Sequence, residues 1–304
     1  MKVLITGGAG FIGSHLVEHY QDKAEVVVLD NFRTGHRKNL EALKCRIIEG
    51  SILDRDLLNC IMSGTDYVFH LAALVSVPES MSKPSETVEI NIQGLLNVLE
   101  AGKTHGVKKL CFASSAAVYG ENPEQPKVET MVPDPRSPYG ITKLDGEYYC
   151  SLYAREGWLE TAALRFFNVF GPRQDPSGAY AAAVPIFIQK ATRNEAITIY
   201  GDGGQTRDFI YVKDIVGALG FLAQSPGVTG VYNAGYGQCM SIADLARMIL
   251  KESCSSSQII HAPERAGDIR HSQASHGKLM EAGWKPVHGV MNGLKATIES
   301  FSNS

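Results

Sequence analysis

The first thirteen residues constrain the fold of this chain more strongly than any other stretch of it. Val3-Leu4-Ile5 is a short apolar run typical of a buried parallel strand, and glycines follow at positions 7, 10 and 13. The apolar periodicity of residues 11–20 then predicts a helix. Backbone N–H groups at the start of such a helix attract an anion, and glycines let it approach closely. The segment therefore predicts a dinucleotide-binding turn, with a tight turn without a ligand as the alternative.

A second strand signal supports the dinucleotide. Residues 25–29 form another apolar run, and Asp30 follows it directly. An acidic side chain at this place can accept hydrogen bonds from the ribose hydroxyls of the adenosine and would repel a 2′-phosphate. We therefore predict NAD rather than NADP as the cofactor. Arg33 lies close to Asp30 in the sequence, and we interpret it as a residue that faces solvent or phosphate.

The composition is that of an ordinary globular protein. Of the 304 residues, 44% are hydrophobic and 20% are charged, and the net charge of −3 predicts no general attraction to nucleic acid or anionic membranes. No uncharged apolar run is long enough to span a bilayer, and because a strand signal stands at the start we expect no signal peptide. The six cysteines include no Cys-x-x-Cys pair. We expect reduced cysteines, no metal site and a cytoplasmic location.

Strand and helix signals alternate through the first half of the chain. The predicted strands are 2–5, 25–29, 46–49, 67–71, 109–113 and 159–165. The predicted helices are 11–20, 53–62, 86–105 and 139–156. This alternation predicts an α/β fold with a doubly wound parallel Rossmann sheet, in which ligands bind at the carboxyl ends of the strands.

The rhythm changes after about residue 170. A strand at 197–200 and shorter helices follow, the helices at 181–192, 212–223, 241–251 and 290–301. We expect a Rossmann domain over 1–170, which also takes part of 210–236, and a smaller mixed α/β lobe over 171–304.

A candidate catalytic group lies at the start of the helix 139–156. Tyr139 and Lys143 are four residues apart, so they share one face of that helix. A lysine ammonium beside a phenol favours the phenolate and lowers the tyrosine pKa from about 10 toward neutrality. Such a tyrosine can remove a proton from a sugar hydroxyl. Ser114 and Ser115 follow the strand 109–113 and point to the same crevice, which argues against an ordinary exposed Tyr/Lys pair.

Together these motifs resemble the extended short-chain dehydrogenase/reductase family, and within it the branch of the UDP-glucose and UDP-N-acetylglucosamine 4-epimerases. The resemblance covers nearly the whole chain and rests on Thr6-Gly7-Gly8-Ala9-Gly10-Phe11-Ile12-Gly13, Ser114-Ser115, Val118-Tyr119-Gly120, Ser137-Pro138-Tyr139 with Lys143, Arg165-Phe166-Phe167-Asn168-Val169-Phe170-Gly171, Gly201-Asp202-Gly203 and Thr206-Arg207-Asp208-Phe209. Nucleotide-sugar dehydratases usually carry an acid where this chain has Ser115, which argues against dehydration.

The resemblance implies an NAD-dependent isomerase that interconverts UDP-hexoses through a transient 4-keto sugar. Tyr139 would be the base for the C4 hydroxyl, Lys143 would lower its pKa and hold the nicotinamide ribose, and Ser115 would hydrogen-bond the C4 oxygen. Because the hydride returns to the sugar, NAD would stay bound through each cycle. The cofactor-binding residues that the resemblance implies are Gly7, Gly10, Phe11, Ile12, Gly13, Asp30, Asn31, Ser51, Ile52, Leu71, Ala72, Ala73, Asn91, Tyr139, Lys143 and Phe166.

The resemblance also implies that the second lobe holds most of the UDP-sugar. Arg207 and Arg265 would bind the diphosphate, since guanidinium groups match phosphate oxygens, although surface solvation is the usual role of an arginine. Tyr200 would pack on uracil with Ile199, and Asp268 would hold the uridine ribose. The full set of implied substrate-binding residues is Ser115, Tyr139, Asn168, Gln174, Ala182, Ile199, Tyr200, Arg207, Arg265, Asp268 and Ser272.

The sequence leaves the exact substrate open. Ser272 stands where a tyrosine in some family members excludes the N-acetyl group, whereas Val75 stands where N-acetyl epimerases tend to have glycine. We therefore expect activity on acetylated sugars or on both types. The alternatives are a UDP-glucuronate 4-epimerase, for which Arg270 is the nearby candidate for the carboxylate, another nucleotide-sugar oxidoreductase, and a non-catalytic NAD-sensing scaffold.

The resemblance further implies a homodimer. The predicted helices 86–105 and 139–156 would then pack against the same helices of a second copy. The alternative is that their apolar faces serve only the core of one chain.

Overall fold

Seven parallel strands form the central sheet of the molecule. The computed structural model describes residues 1–177, 182–264 and 270–302. The strand order across the sheet is β10-β6-β5-β4-β1-β2-β3, and every neighbouring pair is parallel. The strands are Lys2–Thr6 (β1), Glu25–Asp30 (β2), Arg46–Glu49 (β3), Tyr67–His70 (β4), Lys109–Ser115 (β5), Glu160–Phe166 (β6) and Gly230–Ala234 (β10).

Helices cover both faces of this sheet. On one face α1 and α8 pack through Leu16 and Leu219, and on the other face α2 and α5 pack through Leu58 and Val98. Burial on both faces explains why these strands read as almost continuous apolar runs. The helices of the chain are Phe11–Tyr20 (α1), Arg55–Met62 (α2), Val77–Ser82 (α3), Pro84–Val88 (α4), Gly94–Thr104 (α5), Pro138–Arg155 (α6), Ala183–Thr192 (α7), Val212–Gln224 (α8), Ile242–Glu252 (α9), Gly277–Glu281 (α10) and Val290–Ser302 (α11).

Two small sheets lie in the second half of the chain. One contains Asn168–Phe170 (β7), Thr206–Tyr211 (β9) and Cys239–Ser241 (β11), and the other pairs Ile197–Tyr200 (β8) with Ile259–Ala262 (β12). Their core includes Phe187 of α7, Leu245 of α9 and Leu294 of α11. The doubly wound parallel sheet and the smaller mixed lobe confirm the predicted fold class.

Several elements differ from the sequence expectation. The strand β10 comes from the second half of the chain, yet it forms one edge of the central sheet beside β6. The predicted helix 86–105 consists of α4, a π-helical turn at Glu89–Gln93, and α5. Neither β9 nor β10 was predicted as a strand, although we expected the Rossmann domain to take part of 210–236. The division into domains at residue 170 remains a prediction.

Two further features concern the cysteines and the apolar helices. All six cysteines are free thiols. Within the described ranges, no helix is both long and apolar enough to cross a bilayer.

A buried ion pair joins α6 to the carboxyl ends of β5 and β6. The Glu147 carboxylate on α6 accepts hydrogen bonds from Arg165 Nε at 2.8 Å and Arg165 Nη2 at 2.7 Å. Ser114 Oγ of β5 donates to the same carboxylate. Glu147 and Arg165 are each only 3% exposed. The pair thereby fixes the helix that carries Tyr139 and Lys143 against the strand that carries Ser115.

Replacement of Glu147 by Ala should reduce the free energy of unfolding by about 3–5 kcal/mol, because it leaves the Arg165 charge buried without its partner. Urea denaturation followed by circular dichroism measures this loss. Lys44→Ala is the matched control, since Lys44 forms an exposed ion pair with Asp22, and this substitution should leave the urea midpoint unchanged. Similar losses of unfolding free energy in both variants would contradict the expectation that the buried ion pair stabilises the fold more than an exposed one.

Candidate active site

The carboxyl ends of the central strands open into one cavity of about 530 Å³. Its walls include residues that follow β1, β2, β4, β5 and β6, together with Asn168, Val169, Arg173, Gln174 and Asp175 from the connection between the lobes. This volume is typical of a small-molecule or cofactor site. The position agrees with the rule that ligands bind at the carboxyl edge of an open parallel sheet.

The glycine turn forms one end of this cavity. Gly7 has a φ of +73°, and a Cβ on Gly13 would lie 2.2 Å from the Gly7 carbonyl oxygen, so neither position accommodates a side chain. Gly10 is the N-cap of α1 and offers no side-chain hydrogen bond to the first turn. The N–H groups of that turn therefore suit an anion, and Phe11 and Ile12 line the cavity. These features fit the diphosphate of a dinucleotide.

Asp30 lines the part of the cavity where we expect the adenosine of the cofactor, which we call the adenosine end. Its Oδ2 accepts a hydrogen bond from Ala9 N at 2.9 Å, and its Oδ1 accepts one from Phe32 N at 2.8 Å. Each carboxylate oxygen keeps a further lone pair for a ribose hydroxyl. Arg33 Nη1 and Nη2 donate to Glu86 and Glu79 at 2.6 and 2.7 Å. Because two carboxylates already engage Arg33, the arrangement fits NAD better than NADP.

The predicted catalytic side chains meet in the same cavity. Tyr139, Lys143 and Ser115 all line it. The helix α6 begins sharply because Ser137 Oγ accepts a hydrogen bond from Gly140 N at 3.1 Å, and this places Tyr139 in the first turn. Lys143 Nζ donates to Ala113 O at 2.8 Å and lies 5.7 Å from the centroid of the Tyr139 ring. Ser80 Oγ of α3 accepts a hydrogen bond from Tyr139 N at 3.2 Å.

Burial changes the electrostatics that we expected for this group. Burial raises the pKa of Tyr139 above its usual value, and the hydrogen bond with Ser115 opposes this effect. Burial also lowers the pKa of Lys143 to about 8, while the charge of Glu147 opposes the shift. The expected net shift of the Tyr139 pKa toward neutrality is therefore wrong for the chain by itself, because desolvation of the phenol outweighs the groups around it.

Most of the predicted cofactor residues also line the cavity, and Asn91 is the exception. The lining residues are Gly7, Gly10, Phe11, Ile12, Gly13, Asp30, Asn31, Ser51, Ile52, Leu71, Ala72, Ala73, Tyr139, Lys143 and Phe166. Asn91 lies behind the wall, in the π-helical turn, where its Oδ1 accepts from Leu74 N at 2.7 Å and its Nδ2 donates to Leu74 O at 3.1 Å. Asn91 thus fixes the backbone of the loop after β4, and Leu74 of that loop lines the cavity.

The predicted substrate residues divide into two groups. Ser115, Tyr139, Asn168, Gln174 and Ala182 line the cavity, whereas Ile199, Tyr200, Arg207 and Ser272 belong to the second lobe and are not among its lining residues. Arg207 Nη1 donates to Thr206 O at 2.9 Å, and Ser272 N donates to the same oxygen at 3.2 Å, so these two residues are neighbours. Ile199 is buried in the core of the lobe. Arg265 and Asp268 lie outside the described residues.

Two loops contribute cavity residues that the sequence reasoning missed. Thr34, Gly35, His36 and Asn39 come from the loop after β2, and Arg173 and Asp175 come from the loop after β7. The strand-end rule could have found the first loop if it had been applied beyond the first residues after the strand. In the second loop the resemblance implied Gln174, but no local pattern identifies its neighbours Arg173 and Asp175.

Comparison with known proteins agrees with this geometry. The model of the NAD dependent epimerase/dehydratase family matches residues 3–235. The UDP-N-acetylglucosamine 4-epimerase of Methanobrevibacter ruminantium, solved with UDP-N-acetylmuramic acid, is 40% identical, with a TM-score of 0.96 over 99% of this chain and 98% of that one. The UDP-glucose 4-epimerase of Thermus thermophilus, solved with NAD, is 37% identical, with a TM-score of 0.91 over 100% of both chains.

A curated relative has a different activity. The UDP-N-acetyl-alpha-D-glucosaminuronate decarboxylase of Bacillus cytotoxicus is 39% identical over 99% of this chain and 97% of that protein. Similarity alone therefore does not select the substrate. The family match, the epimerase relatives and the cavity geometry together identify this chain as an isomerase of the NAD-dependent epimerase/dehydratase family, of the UDP-sugar 4-epimerase type, with NAD as its cofactor.

Proposed function

We propose that this protein interconverts UDP-hexoses at C4 through a transient 4-keto sugar. The substrates are UDP-glucose and UDP-galactose, their N-acetylated counterparts, or both pairs. The observation that carries the proposal is that Tyr139, Lys143 and Ser115 share one cavity with the glycine turn and Asp30. A base, a cation and a hydroxyl group thus lie in the same cavity as the turn and the carboxylate that fit a dinucleotide.

In this proposal Tyr139 removes the proton of the C4 hydroxyl, and Ser115 holds the C4 oxygen. NAD, when bound, supplies the hydride acceptor and a positive charge beside the phenol. Because burial opposes ionisation of Tyr139, the base needs positive charge nearby in order to reach its phenolate form. Lys143, which Ala113 O holds in place, supplies the part of that charge that belongs to the protein.

Gln174 supports a neutral sugar as the substrate. Its Nε2 donates to Val169 O at 3.2 Å, which determines the orientation of the amide. Its Oε1 is buried and has no hydrogen-bond partner in the described structure, although the residue lines the cavity. A buried acceptor of this kind suits a sugar hydroxyl or an acetamido N–H, and it would repel a carboxylate.

Arg270 gives little support to the glucuronate alternative. Its Nη1 and Nη2 donate to the two carboxylate oxygens of Asp202 at 2.8 and 2.7 Å. A guanidinium that is engaged in this bidentate way offers little to a second carboxylate. The assignment of the nucleotide to Asn168, Ala182, Ile199, Tyr200, Arg207, Arg265, Asp268 and Ser272 remains part of the proposal.

We also propose a homodimer built on α4 and α6. Three apolar side chains on these helices are largely exposed, namely Val88, Ile141 and Tyr148, and Met81 of the adjoining α3 is exposed as well. A second copy that packs its own α4 and α6 on this face would remove them from water.

The proposed activity predicts a C4 epimer from at least one of UDP-glucose, UDP-galactose, UDP-GlcNAc and UDP-GalNAc, without net NADH formation. Separation of the products by anion-exchange chromatography measures it. Tyr139→Phe removes only the phenol oxygen and should lower kcat by about 10²–10⁴-fold, while NAD and UDP still bind. No epimer from any of the four sugars, or full activity in Tyr139→Phe, would contradict the proposal.

Replacement of Lys143 by Met should move the rising limb of the kcat–pH profile to higher pH. Deprotonation of Tyr139 activates the enzyme, and without the neighbouring cation the phenol holds its proton to a higher pH. The profile of each protein is measured from pH 6 to 10. The control is Lys108→Met, which removes an exposed lysine paired with Asp66. If Lys143→Met gave the same pH profile as this control, the electrostatic role proposed for Lys143 would be contradicted.

Disruption of the exposed apolar face should convert the dimer to a monomer. Tyr148→Glu places a charge where we expect the two copies of α6 to meet, and light scattering coupled to size exclusion measures the mass. Trp158, an exposed aromatic residue beyond the end of α6, provides the control variant Trp158→Glu. A wild-type mass of 33.0 kDa would exclude the dimer directly.

A further inference from the structure

A short segment connects the second lobe to the first across the edge of the cavity. Residues 172–175, which we call the strap, follow β7 and the glycine at 171. Arg173, Gln174 and Asp175 all line the cavity that holds the glycine turn. Nothing in the reaction proposed above uses Arg173 or Asp175.

The first attachment of the strap is to α1. Arg173 Nη2 donates to His15 Nδ1 at 2.6 Å and forms an ion pair with Glu18. A guanidinium can only donate, so His15 Nδ1 accepts and Nε2 carries the proton. That Nε2 donates to Pro172 O at 2.9 Å. Both ring nitrogens of His15, which is 4% exposed, are thus committed to the strap.

The second attachment is to the loop after β2. Asp175 Oδ2 lies 3.3 Å from His36 Nε2, and His36 also lines the cavity. Asp175 Oδ1 accepts a hydrogen bond from Ser177 N at 2.7 Å, which orients the carboxylate. The strap is therefore attached both at the helix that starts from the glycine turn and at the loop that follows Asp30.

The backbone of the strap is held in an uncommon conformation. Arg173 has a φ of +64°, a left-handed value that residues with a Cβ seldom adopt. Proteins keep such a residue where the surroundings determine its conformation strongly, and these places concentrate at ligand sites. The contacts with His15 and Glu18 provide that determination here.

We propose that the strap retains NAD in its cavity and that Arg173 is its principal attachment. His15 and Glu18 belong to α1, the helix that starts from the glycine turn, so Arg173 ties the strap to that helix. The strap lines the cavity and links α1 to the loop after β2, so in this proposal the cofactor leaves only after these contacts open. Retention depends on NAD binding alone and not on which sugar is the substrate.

The test measures how fast NAD leaves the loaded protein. Protein loaded with radiolabelled NAD is mixed with an excess of unlabelled NAD, and the bound label is followed over time. Arg173→Gly removes both side-chain contacts and relieves the left-handed backbone, and it should speed release by about tenfold. Asp175→Ala removes the weaker contact with His36 and should speed release by a smaller factor.

Arg136→Gly is the matched control, because Arg136 also forms an ion pair, with Asp134, but does not line the cavity. Its release rate should equal that of the wild type. The association rate of NAD with Arg173→Gly should be equal or faster, since a strap also obstructs entry. A wild-type release rate in both strap variants would overturn the proposal. Faster release together with slower association would also overturn it, because Arg173 would then act only by attracting the negatively charged cofactor.

Discussion

The close contact between Gly7 and Gly13 is the constraint on which the rest of the site depends. With no Cβ at Gly13, the first turn of α1 lies directly against the Gly7 carbonyl, where a side chain would come within 2.2 Å. The turn then brings Ala9 N to the Asp30 carboxylate, and the carbonyl of Ala9 accepts hydrogen bonds from His36 N and Asn39 Nδ2. Helix α1, the adenosine end of the cavity and the loop after β2 are therefore held by one turn. Any bulkier residue at position 13 would displace all three.

In the proposed catalytic group, burial opposes ionisation of the same side chains whose ionisation the reaction would use. Tyr139 and Lys143 are removed from water, which excludes competing proton transfer but disfavours the phenolate and the ammonium alike. The chain offsets part of this cost with the carboxylate of Glu147, which Arg165 and Ser114 hold beneath Lys143 on the same helix face. The positive charge of bound NAD would add to the stabilisation of the phenolate that the protein provides. NAD would then assist ionisation of Tyr139 as well as accept the hydride.

The second lobe and its connection to the first contribute residues to the cofactor cavity, in addition to the residues that we predict for nucleotide binding. Asn168, Gln174 and Ala182 come from the connection between the lobes and share the cavity with the catalytic group. In this segment Gln174 has a buried oxygen without a hydrogen-bond partner in the described structure. Its neighbours Arg173 and Asp175 attach the segment to His15 and His36 of the first lobe. The proposed roles in sugar recognition and cofactor retention therefore fall on consecutive residues, and we expect a change in one to affect the other.

The sequence alone determined the parallel sheet, the dinucleotide turn and the identity of the Tyr139–Lys143 pair. These features are local: apolar strands buried on both faces, glycine spacing and the four-residue period of a helix can all be read along the chain. Only the tertiary structure decided the place of β10 beside β6, the raised pKa of Tyr139, the position of Asn91 behind the cavity wall and the attachment of Arg173 to α1. Each of these depends on which distant segments lie together and how much water they exclude, and no residue pattern along one segment contains that information.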